Sequence, residues 1–322
     1  GIPINKLCAD LSEEEKARFI GVHFYNPPSI LKLCELIPSA TVNKKLLKKI
    51  KKYLSDVLGR TVVQVHDAPA FIGNRIGFQF INEALQLAEK HKDKGGIDYI
   101  YAIFWKFTGR IMPPLVTSDL VGLDVHKAIA DNVYRNTNDY ARKTFEMPEF
   151  AEKLINENRL GRKTGEGLYR RITDENGNHV MQVYDIAADC YRPRREYNFE
   201  FAEKMKNSIA AGEHEKAWES LISDKTEEAR LCTEVIIRYA LYGIYITKSI
   251  GEDIHSSDHV MVNGFRWIPP LGIVDAFNSI GSFRQIAQGS LGEDFLVEIK
   301  ADELLESVEK SIYDYRAFLK AK

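Results

Sequence analysis

Three side chains in the first quarter of the sequence have the types and surroundings for proton transfer. His23 closes the apolar run Arg18 to Phe24, which stops at Asn26-Pro27-Pro28. An imidazole at a strand end beside a turn stands where scaffolds expose reactive groups. It titrates near neutrality, so it can take or give a proton. By itself such a histidine more often serves the fold. Glu35 lies inside Leu33-Cys34-Glu35-Leu36-Ile37, an apolar strand pattern in which an unpartnered carboxylate is costly to bury. If the two runs are neighbouring strands, Glu35 reaches His23, fixes its tautomer and makes it a stronger base. On an edge strand with a wet face it would simply be solvated. Asn74 sits in Ala70-Phe71-Ile72-Gly73-Asn74-Arg75, at the start of a helical pattern. An amide there either holds a substrate carbonyl or hydroxyl without titrating, or satisfies first-turn backbone groups.

Other strings carry less. Gly161 to Tyr169 is a glycine-rich turn without Walker A spacing, and no GxGxxG dinucleotide fingerprint occurs anywhere. His255 and His259 are four apart with Asp258 between them, but no third ligand has sensible spacing, so a polar helix face is expected and no metal site. The lysines at 44, 45, 48, 49, 51 and 52 read as a solvated helix face, with a weak phosphate contact as the alternative.

The elements that must position these residues change character along the chain. Residues 1–67 read as α/β, with short strands over 18–24, 30–37 and 61–65. An amphipathic helix spans 43–58, with leucines on one face and lysines on the other. Three strands and a helix or two do not easily close a two-layer domain. From Pro69 the pattern is helical, over 71–90, 97–107, from 115 onward and 149–158. A hairpin is expected around Asn176-Gly177. Residues 185–225 are charged and irregular with short helical stretches, and the chain is again helical from 226 to about 319. Met112-Pro113-Pro114-Leu115 to Asp119 is echoed by Ile268-Pro269-Pro270-Leu271 to Asp275, each after two helical patterns. This points to a duplicated helical unit.

Composition sets the outer limits. The chain has 322 residues, 44% of them hydrophobic and 28% charged, which is too apolar for disorder. A net charge of −2 gives no basic excess for nucleic acid, and no apolar run approaches bilayer-spanning length. The four cysteines are scattered, without CxxC spacing, which fits a reducing, cytoplasmic setting. The sequence opens on Gly1 without a signal-peptide pattern, and the expectation is a piece cut from a longer chain.

Taken together the strings resemble 3-hydroxyacyl-CoA dehydrogenases. Gly21-Val-His23-Phe-Tyr-Asn26-Pro27 is similar to the family's G-x-H-F-F-N-P, and Leu33 to Ile37 to L-V-E-V-I. Asp67 to Arg75 is similar to D-x-P-G-F-I-x-N-R, Asp119 to Asp124 to D-x-x-G-L-D, and Gly161 to Tyr169 to G-x-K-T-G-x-G-F-Y. The resemblance implies a mainly α protein with a small α/β N-terminal remnant. The remnant would be the end of a Rossmann-type sheet, followed by two tandem 6-phosphogluconate-dehydrogenase-like helical domains. The implied borders are 1–67 for the remnant, 68–190 for the first helical domain, 191–225 for a connection and 226–322 for the second helical copy. It implies an NAD-dependent oxidation of (3S)-3-hydroxyacyl-CoA to 3-oxoacyl-CoA in fatty-acid β-oxidation. His23 would be the general base, Glu35 its partner and Asn74 a positioning amide, with Asn26 and Lys163 on the cofactor side. The family's catalytic Ser would fall just ahead of Gly1, and with the fingerprint absent this piece alone is expected to be inactive. Ala70 stands where the family usually has Gly, and Pro113 replaces the Gly of P-M-G-P-F. Implied partners are the acyl-CoA and a fused or associated enoyl-CoA hydratase. The second copy, without a His/Glu/Asn set, would be structural, giving a monomer with an internal pseudo-dimer, or a homodimer. A non-catalytic acyl-CoA-binding or scaffold module is the rival reading.

Overall fold

The computed structural model describes residues 2–321. In chain order the elements are α1 (Ile4–Leu7), α2 (Glu13–Lys16), β1 (Ile20–Phe24), β2 (Leu33–Pro38), α3 (Lys44–Lys52), β3 (Thr61–Gln64), α4 (Gly73–Lys90), α5 (Ile97–Ile103), α6 (Pro114–Val121), α7 (Leu123–Asn136) and α8 (Glu149–Asn156). There follow β4 (Tyr169–Thr173), β5 (His179–Asp185), β6 (Cys190–Pro193), α9 (Glu200–Ala210), α10 (His214–Ser223), α11 (Glu227–Ile250), α12 (Ser256–Val260), α13 (Pro270–Asn278), α14 (Phe283–Leu291), α15 (Glu293–Glu298) and α16 (Ala301–Leu305). The protein is mainly helical with two small sheets, as expected.

The chain packs as two compact units. One joins the N-terminal stretch through Gly77 to Ile237–Ala317; the other joins Phe78–Ile236 to the C-terminal residues from Phe318. This grouping differs from the sequence borders. The three strands cannot close a core by themselves, and residues 237–317 pack with them in the same unit. His66 donates its backbone N–H to the Ile250 carbonyl at 2.9 Å, and Val65 bridges to Gly251.

In that first unit the sheet order is β1-β2-β3, with β1 antiparallel and β3 parallel to β2. β2 is central and apolar, with Leu33, Cys34, Leu36 and Ile37 buried, so Glu35 is carried into the core. Cys34, Leu36 and Leu54 form a cluster under α3, whose Asn43 cap accepts from the Lys45 and Leu46 N–H groups. The expected helix over 43–58 is α only to Lys52 and continues as a π turn over Tyr53–Val57.

In the other unit β4-β5-β6 form an antiparallel meander. β4 and β5 fulfil the Asn176-Gly177 hairpin signal, while β6 was not anticipated. Within 191–225 two helices, α9 and α10, bury Phe201, Met205, Trp218 and Leu221, so the segment is more ordered than its charge suggests. Helix does not extend to 319: after α16 the chain runs irregularly to a short 3₁₀ turn at Tyr315–Phe318.

The two Pro-Pro strings have similar local settings, one in each unit. Pro113 and Pro269 both cap their helices in extended conformation, with Pro114 and Pro270 at the first helical position, where the missing N–H costs nothing. Asp119 accepts the Leu168 N–H at 2.7 Å, and Asp275 accepts the Ser311 N–H at 2.8 Å. In each unit the aspartate after the first turn of the helix clasps a later segment of the chain.

Candidate active site

The antiparallel register sets His23 directly opposite Glu35, so both side chains leave the same face of the sheet. His23 Nδ1 lies 2.8 Å from Glu35 Oε2. Glu35 is fully buried, while the His23 side chain keeps 29% of its surface exposed. One end of the pair is locked into the core and the other meets solvent.

Two further groups hold Glu35. The backbone N–H groups of Ile72 and Gly73 donate to Oε1 at 2.9 and 3.1 Å. They open α4, where the helix dipole favours an anion. Tyr25 donates its hydroxyl to Oε2 at 2.8 Å. All four lone-pair sites of the carboxylate are filled, and two of the partners are backbone N–H groups that can only donate. Glu35 therefore acts as an acceptor, His23 carries its hydrogen on Nδ1, and the free lone pair is on Nε2. That is the tautomer of a general base.

The approach to α4 is unusual. Ala70 and Phe71 are consecutive non-glycine residues at φ +61° and +52°. Each left-handed residue costs about 1–2 kcal/mol. The turn aims the two N–H groups at Glu35 and brings the Phe71 ring to 5.5 Å from the imidazole. The family's Gly at position 70 has a physical reason here, and Ala70 keeps the conformation without the glycine.

The structure brings His23 and Glu35 together, and it places Asn74 in the first turn of α4, half-buried. There its backbone N–H bonds the Tyr25 hydroxyl. Asn26 is exposed in the turn after β1. Lys163 lies in the other unit, where its ammonium pairs with Asp124. Tyr25 is the residue that sequence reasoning missed. Strand alternation carried the signal, since residues two apart share a face and Tyr25 therefore follows His23 toward Glu35.

This arrangement can abstract or return a proton but cannot accept a hydride. The pyrophosphate of a dinucleotide seeks free N–H groups at a helix start. The nearest start, that of α4, spends its Ile72 and Gly73 N–H groups on Glu35. These two N–H groups are therefore not free to cradle a dinucleotide's phosphates. His259 and His255, the other histidines weighed, are engaged elsewhere: His259 Nδ1 lies 2.7 Å from the Tyr313 hydroxyl and His255 lies near Glu309.

Comparison with known proteins gives the family. Residues 1–68 match the model of the 3-hydroxyacyl-CoA dehydrogenase NAD binding domain, and residues 71–171 match that of the 3-hydroxyacyl-CoA dehydrogenase C-terminal domain. A probable 3-hydroxyacyl-CoA dehydrogenase of Bacillus subtilis is 29% identical over 317 residues, 97% of this chain and 38% of that protein. The mitochondrial hydroxyacyl-coenzyme A dehydrogenase of Sus scrofa is 34% identical over 48% of this chain and 47% of its own length. A putative fatty acid oxidation complex trifunctional enzyme of Rickettsia prowazekii is 27% identical over 83% of this chain and 35% of its own. The crystal structure of 3-hydroxybutyryl-CoA dehydrogenase from Escherichia coli K12 shares the fold, with a TM-score of 0.62 and 19% identity over 95% of this chain and 74% of that one. The chain belongs to the 3-hydroxyacyl-CoA dehydrogenase family, and it spans less than half the length of the curated relatives named here. Among the described residues no helix is long and apolar enough to cross a membrane.

Proposed function

We propose that this chain carries the general-base half of an NAD-dependent dehydrogenase that oxidises (3S)-3-hydroxyacyl-CoA to 3-oxoacyl-CoA in fatty-acid β-oxidation. The observation that carries this is the His23–Glu35 pair, with Nδ1 bonded to a fully buried carboxylate while the imidazole side chain is partly exposed. His23 Nε2 takes the proton of the substrate's 3-hydroxyl as C3 gives up hydride. The carboxylate of Glu35 then stabilises the imidazolium that forms. Asn74 positions the substrate oxygen or the histidine, and Asn26 lies on the cofactor side. NAD, when bound, supplies the hydride acceptor. Lys163 is a weaker candidate for a cofactor contact, because Asp124 already neutralises it.

The helical copies at 68–190 and 226–322, joined through 191–225, are part of this proposal, supported by the paired aspartate clasps. So are a fused or associated enoyl-CoA hydratase, a monomer with an internal pseudo-dimer or a homodimer, and a cytoplasmic setting. The trifunctional relative favours the first and the unpaired cysteines the last.

The test is NADH absorbance with acetoacetyl-CoA. It is run on this chain and on a fusion that places the NAD-binding fingerprint segment of a family member ahead of it. The proposal expects turnover by the fusion and background by the chain alone. A folded but inert fusion would favour the acyl-CoA-binding module instead.

A further inference from the structure

The Tyr25 hydroxyl shares Glu35 Oε2 with His23 Nδ1, and both contacts are 2.8 Å. Two neutral donors on one carboxylate oxygen compete for the same negative charge. Tyr25 is buried, and burial, then the adjacent Glu35, push its hydroxyl well above its ordinary value, so it remains a donor. Its place is built from three sides. A Cβ on Gly73 would meet the hydroxyl at 2.1 Å, and one on Gly264 would meet the ring at 3.1 Å. The Phe265 ring packs edge-on at 5.9 Å, and the imidazole itself lies 4.7 Å away. Gly264 and Phe265 belong to the second helical copy, so that copy helps to place a group beside the base.

We propose that Tyr25 is a positioning residue that sets the basicity of His23 through Glu35. By holding part of the carboxylate's charge, it weakens the pull of Glu35 on the imidazolium and keeps Nε2 unprotonated, and so competent as a base, to lower pH. The proposal rests on the His23–Glu35 reading above. Among the described residues, the titratable groups against the imidazole are Glu35 from β2 and Tyr25, just after β1. The turn before α4 presents the uncharged Phe71, and α4 presents backbone N–H groups to Glu35.

The test is a pH titration of the full chain by NMR with ¹⁵N-labelled histidine. The His23 signals are assigned by their loss in His23→Gln, and the wild type is compared with Tyr25→Phe and Glu35→Gln. Tyr25→Phe keeps the ring and restores the motif's own Phe, and a folded spectrum is required before its titration is read. We expect the His23 titration to move up by about half a pH unit in Tyr25→Phe, as one hydrogen bond to the carboxylate is withdrawn. Glu35→Gln should move it down. If Tyr25→Phe leaves the midpoint in place while Glu35→Gln shifts it, the pair stands and the role of Tyr25 is overturned. If neither variant shifts it, the pair reading falls and the proposal with it. No arm depends on dehydrogenase activity.

Discussion

A buried carboxylate with four donors is a demanding arrangement, and at the residue scale it makes Glu35 the most constrained side chain of the site. Glu35→Gln keeps the shape but replaces one acceptor oxygen by a donor NH₂ group, so that either the backbone donors lose an acceptor or His23 and Tyr25 must reverse their roles. We expect it to lower stability by about 1–3 kcal/mol in urea denaturation. Ala70 makes the opposite prediction. Relief of left-handed strain, about 1–2 kcal/mol, outweighs the added freedom of the unfolded glycine chain, about 0.4–1 kcal/mol. Ala70→Gly should therefore raise the melting temperature slightly; a fall would mean that the turn is not strained. His23 and Glu35 were legible in the sequence because a polar residue inside an apolar strand must have a partner. Tyr25 was not, because a tyrosine just past an apolar strand also reads as core. The left-handed turn was not legible either, since Ala70 and Phe71 carry no glycine signal.

At the scale of elements, the site works because α4 starts where β2 delivers its carboxylate. Gly73 is the hinge of that contact: an added Cβ would lie 2.1 Å from the Tyr25 hydroxyl and 2.5 Å from a Val260 methyl. Gly73→Ala should cost about 1–3 kcal/mol through overpacking. It should also displace Tyr25, which a lost His23–Tyr25 ring-current shift would report; unchanged stability and spectra would contradict the packing described. The strands were readable from apolar runs bounded by Pro28 and Pro38, and α4 from its periodicity. Their closure against 237–317 was not, because an amphipathic face shows that a partner is needed without showing which one.

Across the whole molecule, two buried aspartates tie stability to pH. Desolvation by burial raises Asp258 from its ordinary 3.8 to about 7, against the lowering hydrogen bonds from Ser311 and Leu271, with Asp275 raising it further. Burial likewise raises Asp119, in the other unit, to about 6. A carboxyl raised in the folded state binds its proton more tightly there than in the unfolded chain. The stabilisation is therefore full below about pH 4 and is lost as pH rises through the folded value. For Asp258 this amounts to at most roughly 4 kcal/mol, at about 1.4 kcal/mol per unit. We expect the melting temperature of the wild type to fall, relative to that of Asp258→Asn, between about pH 4 and 7; parallel curves would contradict the assignment. The central claim is the His23 base, and it is tested most directly by His23→Gln in the fused enzyme, assayed by NADH absorbance with acetoacetyl-CoA. The account predicts that kcat falls by about 10²–10⁴-fold while the protein stays folded. A kcat within about threefold of the wild type, well short of that range, would contradict it.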